Sequence, residues 1–144
     1  MSFPYKRILC AVDFDDNAPS AIEEAAALAR ASDGVVILFH VVWVTPLASE
    51  GYVLAELQKS QMADASLKLE ELGRHHLDGA KYELAIELGD PGDGIVAATS
   101  RCHADLVVMA THGRHGVSHL VLGSVAERVV RSSPVPILTL HQKA

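Results

Sequence analysis

The chain has 144 residues, 49% of them hydrophobic and 21% charged, with a formal net charge of -6 at pH 7. That length gives a single domain over residues 1–144 with enough material for a real core, and the composition is that of a folded globular protein. The acidic balance argues against nucleic acid, which needs a basic surface, and no apolar run approaches the length of a membrane span, so no membrane insertion is expected.

In chain order, Met1–Arg7 runs straight into an apolar stretch and reads as carrying no secretory leader. The first strand is predicted over Arg7–Val12 and ends at Asp13. Asp13, Asp15, Asp16 and Asn17 suit a turn. Ile22, Ala25, Ala26 and Ala29 then form a helical stripe, with Pro19 near its first turn. Val35–Val42 is the second strand, and His40 within it reads as a packed, hydrogen-bonded core histidine.

Trp43–Gly51 is a loop broken by Pro46, Ser49 and Gly51, placed at the carboxyl edge of the sheet. The longest helix is expected from Leu54 to Leu77, its stripe blurred by Gln61 and His76. Tyr82–Leu88 is the third strand. Ile95, Ala98, Thr99 and Cys102 mark the next helix, and Leu106–Ala110 is the fourth strand. A last helical stripe runs through Leu122, Val125, Ala126, Val129 and Val130. The fifth strand is predicted over Val135–Leu140.

Strands alternating with helices make an α/β domain with a mostly parallel sheet. Most of the runs are continuously apolar, as strands covered on both faces are. Pro134 and Pro136 put the last strand at an edge, yet Val135, Ile137, Leu138 and Leu140 are too apolar for a free edge in water. A homodimer covering Val135–Leu140 is therefore expected. Cys10 and Cys102 lack metal-ligand spacing and read as reduced apolar residues of a cytoplasmic protein. His75, His76, His103 and His141 read as surface or helix-end residues.

The candidate site follows the fourth strand. Val107-Val108-Met109-Ala110-Thr111-His112-Gly113-Arg114-His115-Gly116 is a strand entering a glycine-bearing loop, and Gly123-Ser124-Val125 opens a helix. Unpaired N–H groups and the dipole at a helix start favour an anion. Ligands of open α/β sheets bind beyond the carboxyl ends of strands where the strand order reverses. The first strand ends there too, in Ala11-Val12-Asp13. A carboxylate on one strand end and N–H donors on another suit a nucleotide. His115 near a phosphate would be a donor. His112, His115 and His119 are too loosely spaced for a metal site, so no protein-held metal is expected.

These residues carry a family resemblance. Lys6-Arg7-Ile8-Leu9-Cys10-Ala11-Val12-Asp13, Phe39-His40-Val41-Val42, Gly89-Asp90-Pro91, Asp105–Arg114, Gly123–Val129 and Ser133–Leu138 together resemble the universal stress protein family. The resemblance implies a three-layer αβα domain on a five-stranded open parallel sheet, Rossmann-like or flavodoxin-like. It also implies a stress-response module that binds ATP with Mg or Mn, or else AMP or ADP, and answers to an unidentified regulatory protein partner. By the resemblance Asp13 contacts the nucleoside, the main chain of Val41 reads adenine, and Gly113, Arg114, Gly123, Ser124 and Val125 line the triphosphate. Ala11, Val12, Met109, Ala110, His115 and Gly116 complete the expected site.

The nucleotide-binding branch is similar to a pattern of glycine, two residues, glycine, nine residues, glycine and a hydroxyl residue. Here Gly113, Gly123 and Ser124 match it, and Ala110 departs from it. A positive φ at Ala110 would cost roughly 1 kcal/mol or more, whereas a need for smallness alone would be met. Two other readings stay open. A nucleotide-free interaction protein of the same family is one, kept alive by Ala110. The other is a slow ATPase or nucleotidyl transferase with Asp13, Asp15 and Asp16 around Mg; it lacks a P-loop and a lysine in the cradle. A receiver domain is set aside, because the third strand ends Leu88-Gly89 and the fifth ends Leu140-His141, where that fold wants an aspartate and a lysine.

Overall fold

The structure is a computed structural model and describes residues 3–43, 51–111 and 123–141. Its elements run β1 (Arg7–Ala11), α1 (Ala18–Ser32), β2 (Val35–Trp43), α2 (Tyr52–His76), β3 (Lys81–Gly89), α3 (Pro91–Arg101), β4 (Leu106–Ala110), α4 (Ser124–Ser132) and β5 (Ile137–Leu140). The five strands form one parallel sheet in the order β3-β2-β1-β4-β5, with β1 at its centre. The order reverses between β1 and β4, as it does in the Rossmann arrangement.

Because side chains alternate across a strand, the sheet feeds two cores. Ile8, Cys10, Val36, Leu38, Leu106 and Val108 face α1 and α2, meeting Ile22, Ala25, Ala29, Leu69 and Leu77. Leu9, Ala11, Ile37, Phe39, Val107 and Met109 face α3 and α4, meeting Ile95, Ala98, Ala126 and Val129. Continuous apolar runs in β1, β2 and β4 are thus explained by helices on both faces. Gly34 makes the tight α1–β2 connection possible: a Cβ there would lie 2.7 Å from the Lys6 carbonyl oxygen.

Several expectations are corrected. The third strand, expected over Tyr82–Leu88, spans Lys81–Gly89 at an edge of the sheet, and Lys81–Leu84 are all exposed. The last strand starts two residues late: Pro136 has no N–H, and its carbonyl, which accepts the Val107 N–H at 3.0 Å, opens the β4–β5 pairing. Val130 does not join the stripe of α4; it is 48% exposed, one residue past the buried Val129 and so turned off the core face. Among the described residues of α2 the buried positions lie in its carboxyl half, at Ala65, Leu69 and Gly73, followed by Leu77. Gln61 is exposed there, and His76 reaches Glu23 of α1 at 3.0 Å. Cys10 is buried and Cys102 half-buried; both are free, and burial pushes the Cys10 thiol up to about 12. Among the described residues no helix is long and apolar enough to cross a membrane.

Candidate functional site

The central strand stops first. The β1–β2 ladder ends at Ala11–Phe39 and the β1–β4 ladder at Ala11–Met109, while β2 runs on to Trp43 and β4 to Ala110. This leaves a vacant lane at the carboxyl end of the sheet, at its switch point. A cavity of ≈ 240 Å³ occupies it. Its walls are the strand ends Ala11, Val12, Asp13, Phe39, His40, Val41, Met109 and Ala110, together with the starts of three helices. Those are Ala18 and Ala21 of α1, Pro91 and Ile95 of α3, and Val125 and Ala126 of α4. The size is near the lower bound of about 300 Å³ for drug-sized ligand clefts, which suits a base with part of its sugar.

Main-chain direction can be read from the ladder. In a parallel strand the N–H and C=O of one residue point to the same neighbour, and those of the next residue point away. The Phe39 carbonyl accepts the Val12 N–H at 2.9 Å, so Phe39 faces β1. Val41, two residues on, faces the same way, into the lane that β1 has left. The Val12 carbonyl is next in line to meet the Val41 N–H. It is held instead by Nδ1 of His40 at 2.7 Å. A carbonyl only accepts, so Nδ1 carries the proton. Burial lowers the pKa of His40, outweighing the Val12 bond and the charge of Asp13, which raise it; the charge of Lys68 also lowers it. The imidazole is thereby kept neutral.

Asp13 is exposed on the rim, and one of its oxygens, Oδ1, accepts the Asp15 N–H at 3.2 Å. The Asn17 N–H in turn donates to Asp15 Oδ1 at 2.8 Å. The turn role and the place at the cavity therefore coexist. Phe14 has φ +68°, and its ring lies against that of His40, 4.1 Å between centroids and tilted by 33°.

The helix starts differ in chemistry. In α3, Asp90 caps its own helix by accepting the Asp93 N–H at 3.0 Å. In α4 the N-cap is Gly123, which has no side chain to offer. Among the described residues none accepts from the first N–H groups of α4, those of Ser124 and Val125, and a helix start of this kind suits an outside acceptor.

Of the expected site residues, Ala11, Val12, Asp13, Val41, Met109, Ala110 and Val125 line one cavity. Gly123 and Ser124 sit at the adjoining helix start. Gly113, Arg114, His115 and Gly116, like His112 and His119, lie outside the described residues, as do residues 44–50 of the Trp43–Gly51 loop and nearly all of the loop before Leu122. Among the described residues no three His, Cys, Asp or Glu side chains gather as a metal site. Sequence reasoning missed Ala18, Ala21, Phe39, His40, Pro91, Ile95 and Ala126 as lining residues. Their signal was positional: each sits within a few residues of a strand end or a helix start at the switch point. Ala110 is settled as well: it is a strand residue paired with Leu140 and does not adopt a positive φ.

The model of the universal stress protein family matches residues 4–141. Universal stress protein MJ0531 of Methanocaldococcus jannaschii is 33% identical over 143 residues, which cover 96% of this chain and 83% of that protein. The solved structure of hypothetical protein MJ0577, from the same organism, superposes with a TM-score of 0.86 at 30% identity, covering 97% of this chain and 98% of that one. The universal stress protein of Archaeoglobus fulgidus solved in complex with dAMP shares the fold, with a TM-score of 0.62 at 21% identity over 95% of this chain and 98% of that one. The described fold, its switch-point cavity and these matches along almost the whole length agree, and the chain belongs to the universal stress protein family.

Proposed function

We propose that this chain binds an adenine nucleotide in the switch-point cavity. The ligand is ATP with Mg or Mn, or in its place ADP or AMP, and a cytoplasmic homodimer relays its occupancy to a regulatory protein partner. One observation carries the reading: the lane vacated by β1 joins an apolar slot, a carboxylate, an open main chain and a helix start whose N-cap is a glycine. The slot between Val41, Ile95 and Met109 suits a flat heterocycle. The Val41 main chain offers a donor and an acceptor to the base edge, and Asp13 offers an acceptor to ribose hydroxyls. The start of α4 offers N–H donors and a dipole to phosphate. The dAMP complex of the Archaeoglobus fulgidus protein belongs to a neighbour with this same fold.

Calorimetric titration with ATP–Mg tests the reading, with Ser124→Glu as the control. A glutamate in the first turn of α4 favours the helix by about 0.3–1 kcal/mol through the dipole, so the fold is retained. The same charge opposes a phosphate at that place, so affinity drops by about tenfold or more. Absence of heat with the parent chain refutes the reading. Equal affinity in both proteins refutes the phosphate placement.

A further inference from the structure

His40 of the cavity lining and Phe14, the residue after Asp13, stand in arrangements that the fold alone does not require. His40 takes a carbonyl that a regular ladder would give to the next strand, and Phe14 holds a left-handed backbone that bulky residues rarely adopt. Strain of this kind, of order 1–3 kcal/mol, persists only where its surroundings enforce it. Here the enforcement is visible. The Phe14 ring packs on His40, 4.1 Å between centroids, and the Lys68 ammonium of α2 stands over it, 5.5 Å from the ring centre. We infer that the Phe14–His40 stack is a positioning device for the bound nucleoside, an inference that rests on the nucleotide reading above.

Each partner sets one contact. His40 holds the Val12 carbonyl at the point where the β1–β2 ladder has ended, and the Val41 N–H is not taken up in a bond to β1. The main chain of Val41 thus stays open toward the cavity. Phe14 fixes the backbone from which Asp13 projects. Its left-handed turn sends the chain out of β1 and lets Asp13 meet the Asp15 N–H at 3.2 Å while lining the cavity. The stack also holds the imidazole plane so that Nδ1 meets the Val12 carbonyl. Neither ring needs to touch the ligand: His40 acts through Val41, and Phe14 acts through Asp13 and His40.

The first arm of the test is calorimetric titration of ATP–Mg into the parent chain, His40→Leu, His40→Asn, Phe14→Ala, Phe14→Gly and Phe14→Tyr. His40→Asn keeps an N–H near the position of Nδ1, and Phe14→Tyr keeps the stack. These two bind within about threefold of the parent, whereas His40→Leu, Phe14→Ala and Phe14→Gly lose about tenfold, the size of one hydrogen bond. Phe14→Gly relieves the strain and still loses affinity, because the ring is gone. In an Asp13→Ala background, Phe14→Ala causes a clearly smaller loss than in the parent, because only its route through His40 is left, and a general structural defect would not reproduce that.

The second arm uses no ligand and measures amide exchange of Val41. The parent's Val41 amide exchanges faster than that of Phe39, and His40→Leu slows it by releasing the Val12 carbonyl. Parent-like affinity in His40→Leu or Phe14→Gly overturns the inference, as does full additivity of Phe14→Ala with Asp13→Ala. If the parent binds no adenine nucleotide, the nucleotide reading fails and the exchange arm decides alone. Equal protection of Val41 and Phe39 in the parent then overturns the inference, and the faster exchange reversed by His40→Leu sustains the placement of the main chain.

Discussion

His40 ties the chemistry of the cavity to pH. In the unfolded chain its pKa is the ordinary value of about 6.5. In the fold it is lower, chiefly because burial disfavours the imidazolium. Below the ordinary value the unfolded state takes up a proton that the folded state does not, so stability falls with falling pH. The contribution is complete above about pH 6.5 and is lost as the pH drops through the folded value. Urea midpoints at about pH 7.5 and about pH 5.5 should therefore differ in the parent, and the difference should shrink in His40→Asn, which does not titrate. An unchanged difference would remove His40 from the account. Asp33, which an exposed hydrogen bond and charge from Lys81 hold below its usual range, acts only in more acidic solution. Residue-level legibility was uneven. Asp13 stood out by its place at a strand end, the expected role of Val41 came with the family resemblance alone, and the motif departure at Ala110 was visible. That the backbone there takes no positive φ was not, because the extended backbone at Ala110 follows from its pairing with β5, a contact between residues 30 apart.

At the scale of elements, α3 is set against β2 by a glycine. A Cβ on Gly94 would lie 2.9 Å from Val41 Cγ2, a stiff β-branched side chain that has little freedom to move aside. Gly94→Ala gains about 1 kcal/mol of helix propensity but incurs an overpacking cost of about 1–3 kcal/mol. The expected balance is a modest loss in thermal stability with a disproportionate loss of nucleotide affinity, since Val41 and Ile95 both line the cavity. Melting and calorimetry on one preparation check this; a stabilised variant with parent-like affinity would show that α3 is not pressed on the site. The elements themselves were well marked in the sequence. Buried strands on both sides of β1 carry runs that few other structures tolerate, and Gly89-Asp90-Pro91 spelled a strand end and a helix cap. What blurred were elements whose surroundings differ from the average. β3 is apolar enough to pass for an inner strand, and its exposure depends on being the last strand of the sheet. Val130 fits a helical stripe as well as Val129 does, and only the direction of the core separates them.

For the whole molecule, the sheet has two edges of unlike character. β3 carries Glu83 and Glu87, paired with Arg7 and Arg101, and such charges discourage strand addition. β5 is a short edge of Ile137, Leu138, Thr139 and Leu140, each only half-buried in the single chain. We propose that β5 is the homodimer seam. Its main chain defines a clean test. The carbonyls of Pro136 and Leu140 accept the N–H groups of Val107 in β4 and of Thr111 just past it, so by alternation Thr139 turns its own N–H away, to the open edge. A proline is tolerated on an open edge of a monomer but cannot donate to a strand added there. Thr139→Pro should then leave the folded domain intact by circular dichroism and convert a dimer into a monomer in sedimentation at micromolar concentration. A parent chain that sediments as a monomer removes the homodimer from the proposed function. A Thr139→Pro protein that remains a dimer moves the seam from the β5 main chain to side-chain surfaces such as α4, where Val130 is 48% exposed. The cavity lies within one chain and does not wait on that outcome: the order of the sheet brings Val41, Asp13 and the start of α4 to one place without a second copy.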